Sequence, residues 1–152
     1  MGIHQSTPGG IPMVTEDDIT KNLSLLEYYK EQLSNLDMQQ QYLQAAMMDY
    51  QKAKITLEHL ETAKGKQDIL MPVGSGVFIT GQAQDSSKVL LDIGAGIVAE
   101  KPVKEAVIKI NERMDQVQSS QKKLYETMQQ LQAEAESLSE KTQQMMAEAQ
   151  QK

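Results

Sequence analysis

At 152 residues, with a formal net charge of -6 and no cysteine, the chain is long enough for one domain of ordinary size. Disulfides and thiolate metal sites are excluded, no Lys/Arg cluster offers a surface to nucleic-acid phosphates, and no apolar run approaches the roughly 18 residues of a membrane span. Aromatics are scarce while Gln, Glu, Lys, Ala, Leu and Met dominate both flanks, which suits long helices that bury a narrow stripe.

Residues 1–14 read as a flexible tail without the basic and apolar regions of a secretory signal. Gly2 and Ser6 match the M-G-x-x-x-S myristoylation pattern. No polybasic stretch supplies the second anchor that one acyl chain needs, so a small second residue in a tail is the preferred reading. The expectation is a soluble, cytoplasmic protein.

Helix one is expected over 15–65. Thr15 is an N-cap with Asp18 as its capping-box partner, and Val14 with Ile19 forms a hydrophobic staple. Glu16, Asp17 and Asp18 place negative charge where the helix dipole favours it. A heptad then runs with Ile19, Leu26, Leu33, Gln40, Met47 and Lys54 at a, and Asn22, Tyr29, Leu36, Leu43, Tyr50 and Leu57 at d. Gly65 is placed as the residue after the C-cap.

The middle, 69–100, is apolar and glycine-rich, and its spacing predicts two β-hairpins. Ile69 to Val73 is a strand with an edge or bulge at Pro72, Gly74-Ser75 a two-residue turn of the II′ sort, and Val77 to Ala83 the return. Lys88 to Ile93, a turn at Gly94-Ala95-Gly96, and Ile97 to Glu100 make the second hairpin. Val77, Phe78 and Ile79, and Val89, Leu90 and Leu91, put apolar groups on both faces of their strands, a pattern of strands covered on both sides. Ile55, Leu60 and Ile108 lie off the seam and are the cover available within one chain. The remainder, with Ile97 and Val98, is assigned to burial between subunits, so the apolar middle reads as an assembly platform.

Helix two is expected over 102–150, with Pro102 at its start. Val103, Ile110, Val117, Leu124, Leu131, Leu138 and Met145 occupy d; Val107, Met114, Gln121, Met128, Ala135, Thr142 and Ala149 occupy a. Each seam holds over about six heptads, beyond the three to four that define a coiled coil. An antiparallel register sets Leu57 by Val107, Met47 by Val117, Leu33 by Leu131 and Ile19 by Met145. Tyr29 falls opposite small Ala135, and Tyr50 opposite Met114. The expected class is α+β: a long antiparallel two-helix coiled coil joined by two β-hairpins that form an oligomeric β-barrel platform.

"DILMPVGSGVFITGQA", "KVLLDIGAGIVAEKP" and "KEAVIKINERM" resemble the linker and second-helix start of prefoldin α-class subunits, in a compact, archaeal-type form. The likeness spans roughly 15–150, making 15–152 a single prefoldin-like domain; β-class subunits carry a single hairpin. The resemblance implies an ATP-independent co-chaperone in which two α and four β subunits form a hexamer. Non-native clients would be held at the coiled-coil tips and passed to a group II chaperonin. Met13, Val14, Ile19, Leu23, Leu25, Tyr28, Leu138, Met145 and Met146, where both helix ends meet, are the client-binding residues it implies; otherwise they read equally well as end-packing. The runner-up is a structural coiled-coil adaptor that bridges specific partners.

Gly94 to Ala99 spells G-x-G-x-x-A, a dinucleotide-binding pattern. That chemistry needs a helix starting within the motif, whereas Ile97 and Val98 are strand formers and no βαβ unit follows. His4 and His59 have no partners at metal-ligand spacing beyond generic helix acids, and no nucleophile–base pair can be nominated. The expectation is a protein without cofactor or metal, binding neither nucleic acid nor membrane, and not an enzyme.

Overall fold

Helix α1 (Glu16–Thr62) starts where two orphan backbone donors find side-chain acceptors. The Asp18 amide donates to Thr15 Oγ1 at 3.2 Å and the Thr15 amide donates to Asp18 Oδ2 at 3.3 Å, a reciprocal capping box. The computed structural model describes residues 15–63 and 65–150, so the Val14–Ile19 staple lies outside the described residues. After α1 come β1 (Gln67–Gly74), β2 (Val77–Ala83), β3 (Lys88–Gly94), β4 (Ile97–Pro102) and α2 (Val103–Gln150). The described residues divide into two compact units: one holds those up to Gln40 and from Lys123 onward, the other those within Gln41–Lys122.

In the Gln41–Lys122 unit, Leu57 of α1 packs with Val103, Ala106 and Ile110 of α2 in one buried cluster. Tyr50, Ala53, Leu60, Val107 and Met114 lie against it, so the helices run antiparallel and Leu57 with Val107, and Tyr50 with Met114, share a core as the register sets them. Along both helices the residues that lose exposure follow the heptad, and the seam positions are buried or half-buried with Ala149 the exception. Ile55 and Ile108 do not cover the hairpins as expected: both are more than half exposed, and of that trio only Leu60 joins the core. Ala106, which carries no pattern signal, is 1% exposed because helix meets helix there.

Each hairpin is a two-stranded antiparallel sheet, β1 with β2 and β3 with β4. Their turns are built alike. Gly74 pairs with Val77 and Gly94 with Ile97, leaving Ser75-Gly76 and Ala95-Gly96 as the turn residues. All four have positive φ (49° and 77°, 54° and 74°), the signature of a type I′ turn. The first turn therefore sits one residue later than Gly74-Ser75 and is not of the II′ sort. The I′ twist matches the strands, and glycine takes its second position without a Cβ penalty. In both hairpins the register shifts just before the turn, so Val73 and Ile93 stand unpaired as bulges.

Three hydrogen bonds tie the linker to the helical base. Ser86 Oγ donates to the Ala63 carbonyl at 3.2 Å, the Val103 amide donates to the Ser87 carbonyl at 2.9 Å, and Arg113 Nη2 donates to the Asp92 carbonyl at 2.6 Å. Pro102 is the last residue of β4, paired with Lys88, so α2 begins at Val103. Helix α1 ends at Thr62, and Gly65, at φ 78°, turns the chain beyond it.

In the other unit the antiparallel sense is read from Asn22 reaching Met145 and from Tyr29 lying beside Glu134. Thr142 is 2% exposed, and its hydroxyl donates to the Leu138 carbonyl at 2.7 Å, one turn back on its own helix. That bond satisfies a polar group enclosed in the seam.

Candidate functional site

Alternation within the second hairpin decides which of its side chains are free. Val89, Leu91, Ala99 and Lys101 are half-buried and share one face, since Val89 pairs with Lys101 and Leu91 with Ala99. Val89 packs on the helical core. Leu90, Val98 and Glu100 point the other way, and Leu90 is 74% exposed. On that outer face Lys88 and Glu100 make a 3.6 Å ion pair, both side chains open to solvent.

In the first hairpin the half-buried residues Gln67, Gly81 and Ala83 also share one face, but its larger apolar side chains stay exposed on both. Leu70 pairs with Thr80 and Pro72 with Phe78 on one face; Ile69 pairs with Gly81 and Met71 with Ile79 on the other. Val77, Phe78 and Ile79 are at least half exposed, and Leu70 and Val73 more so. Gly81 is a close-approach position, because a Cβ there would meet Met71 Cε at 2.7 Å, so its absence lets Met71 lie across the sheet. Of the eight platform residues expected to be covered on both faces, the chain itself half-covers Val89 and Leu91; Val77, Phe78, Ile79, Leu90, Ile97 and Val98 stay open. Leu70, Met71 and Ile93 belong to the same exposed apolar set and were missed. The period-2 spacing that sets Leu70 on the same face as Pro72 was the signal for the first of them.

Among the residues expected at the helix ends, Ile19, Leu138 and Met145 are half-buried seam members. Leu23, Leu25, Tyr28 and Met146 are exposed, Leu23 and Leu25 flanking the seam at e and g. Met13 and Val14 lie outside the described residues. Asn22 was placed in the seam at d but without a polar role: its Nδ2 donates to Met145 Sδ at 3.3 Å, across the pair of helices. Its place at a d position, amid apolar neighbours, was the available signal. Partial burial, then the neighbouring Glu134 carboxylate, raises the Tyr29 hydroxyl above its ordinary pKa. Further apolar side chains face solvent at Met38, Tyr42, Met48 and Tyr125.

Among the described residues no cluster of His, Cys, Asp and Glu could hold a metal ion, and no helix is long and apolar enough to cross a membrane. What the surfaces offer is apolar contact. The fold thus defines a class of protein: an antiparallel coiled-coil subunit whose linker is two β-hairpins with open apolar faces.

Comparison with known proteins narrows the class. A family model described as "Prefoldin subunit" matches residues 29–152. Similar curated proteins include the prefoldin subunit alpha of Archaeoglobus fulgidus, 30% identical over 111 residues (73% of this chain, 81% of the relative). That of Methanosarcina barkeri is 32% identical over 107 residues (68% of this chain, 74% of the relative). Among solved structures, the cryo-EM structure of filamentous PFD from Methanocaldococcus jannaschii aligns at TM-score 0.65 and 25% identity, covering 74% of this chain and 93% of that one. The crystal structure of the prefoldin beta subunit from Thermococcus strain KS-1 aligns at TM-score 0.57 and 16% identity, covering 88% and 96%, a likeness of fold alone. The chain belongs to the prefoldin family, and its double hairpin and α-subunit relatives place it in the α class.

Proposed function

We propose that this chain is the α subunit of an ATP-independent holdase, assembling with β-type prefoldin subunits as α2β4 in the cytoplasm and passing clients to a group II chaperonin. One observation carries the holding role. Leu23, Leu25, Tyr28 and Met146 are exposed beside a coiled-coil seam whose own a and d positions are already filled. A two-stranded seam has no further core for them, and exposed apolar side chains of this kind mark an interaction surface. Leu and Met adapt their shape to many partners, which suits clients without a fixed structure. The half-buried Ile19, Leu138 and Met145 extend the surface when the last turns loosen, and Met13 and Val14 precede it in sequence.

Assembly rests on the hairpins. Val77, Phe78, Ile79, Leu90, Ile97 and Val98 expose more apolar surface than a lone two-stranded hairpin can sustain in water. Partner strands would cover both faces of the first hairpin and the outer face of the second, with Val89 and Leu91 bracing it from within. The chemistry required is binding alone, so no catalytic role is assigned.

The test is site-specific photocrosslinking in the complex recovered with this chain, from Leu25, Met146 or Val117 to an unfolded protein. Labelling should come from Leu25 and Met146 and not from Val117, which is half-buried in the seam. Equal labelling from all three, or capture of one folded partner in place of unfolded proteins, would overturn the holding role.

A further inference from the structure

The chain has ten methionines and no cysteine, so an oxidant that reaches it meets thioether sulfur and no thiol. Two of those sulfurs sit side by side in α2 in different surroundings. Met146 is 42% exposed. Met145 is half-buried, and its sulfur already accepts the Asn22 Nδ2 hydrogen bond at 3.3 Å. One turn earlier Thr142 is enclosed, its hydroxyl committed to the Leu138 carbonyl. Asn22 is therefore a polar donor at this layer whose acceptor is a weak one, a thioether.

We propose that Met145 and Met146 form a peroxide-sensitive modification site that switches off client binding at this end of the helices. A thioether sulfur lone pair attacks one oxygen of hydrogen peroxide, the O–O bond breaks, and the departing hydroxide takes the proton of the new sulfur-bound hydroxyl to become water. The sulfur gains one oxygen and is oxidised by two electrons, and the peroxide is reduced. At Met146 this turns an exposed apolar side chain polar. At Met145 the new S=O oxygen is a far stronger acceptor for Asn22 Nδ2 than the thioether sulfur it replaces. That stronger bond holds Met145 to Asn22 across the helix pair, so a polar Met145 no longer joins the apolar surface when the last turns loosen. Both changes remove the plastic apolar contact on which the holding role rests, and this inference depends on that role.

The full-length chain, recovered with its partner subunits, is treated with hydrogen peroxide and its oxidised methionines are located by mass spectrometry. Binding of reduced, carboxymethylated lysozyme, a permanently unfolded probe, is measured before and after. Met146 should oxidise ahead of Met47, which is buried, and binding should weaken by about tenfold as Met145 and Met146 convert. Methionine sulfoxide reductase should restore it. Met38, Met48 and Met71 are also exposed and will react, so the effect is assigned with the double variant Met145→Leu, Met146→Leu. Whatever its starting affinity, its ratio of treated to untreated binding should stay near one. The same drop in that variant, or unchanged binding by wild type oxidised at both positions, overturns the inference. A Met145→Ser, Met146→Ser variant separates the two readings. If it binds the probe as well as wild type untreated, the holding role at this end falls; if it is weakened while oxidised wild type is not, only the redox switch falls.

Discussion

Ile108 and Ile110 are the same residue type, two positions apart in α2, and they face opposite environments: Ile110 is 5% exposed in the cluster with Leu57 and Val103, Ile108 is 59% exposed. Substituting each with alanine makes the same chemical change in the same helix. Both variants gain helix propensity, roughly 0.4 kcal/mol on the scale where alanine is best. Removing three buried carbons from Ile110 forfeits about 2.4 kcal/mol of transfer free energy at ~0.8 kcal/mol per CH2, and the cavity left behind adds roughly another 1 kcal/mol. Net of propensity, Ile110→Ala should destabilise by about 3 kcal/mol. Ile108→Ala should fall within about 0.5 kcal/mol of zero, since the little burial it loses is offset by propensity. For a chain of this length about 3 kcal/mol corresponds to a midpoint lowered by roughly 6–12 °C. The assay is thermal unfolding followed by helical circular dichroism, at concentrations where light scattering gives the monomer mass. Equal shifts for the two variants, or a larger one for Ile108→Ala, would refute the packing of α2 on α1 in this unit.

Two further perturbations probe local structure. The hydrogen bonds that Asp18 exchanges with Thr15, the backbone one foremost, hold its carboxyl below the ordinary carboxylate pKa. With the folded pKa depressed, the cap's contribution is present above the unfolded pKa and lost as pH falls through the folded one. Amide exchange at residues 16–19 should therefore accelerate, beyond its intrinsic pH dependence, on acidification below the usual Asp range. Asp18→Asn should lack that step, and an Asp18 carboxyl titrating at or above the ordinary value in an NMR titration would contradict the cap. Ala95 sits at φ 54°, a conformation strained for alanine by roughly 1 kcal/mol, ahead of Gly96. Ala95→Asn creates the Asn-Gly pair that type I′ turns favour and should slow amide exchange across β3 and β4 several-fold; faster exchange would count against the turn type.

Periodicity, caps and turn glycines made most of the architecture legible. A heptad names its own buried face, so Ile19 through Leu57 and Val103 through Met145 could be placed on seams without knowing the partner. Thr15 and Asp18 act over three residues, and the Gly-Ser-Gly and Gly-Ala-Gly turns over four, so short-range rules reached them, with a one-residue error at Ser75-Gly76. The face of a strand is another matter. Val77-Phe78-Ile79 and Val89-Leu90-Leu91 are apolar at every position, and a run without alternation carries no statement of which side turns inward. Three-dimensional packing made that choice. Val89 packs on the helical core, Leu91 is half-buried on the same face, Leu90 faces out, and the large apolar side chains of the first hairpin are left open on both faces. Ala106 and Ile108 show the same limit in a helix, where hydrophobicity ranks isoleucine as the core residue and position buries the alanine. Which apolar side chains remain free to bind is set by what the chain has already covered, and that depends on contacts between segments distant in sequence.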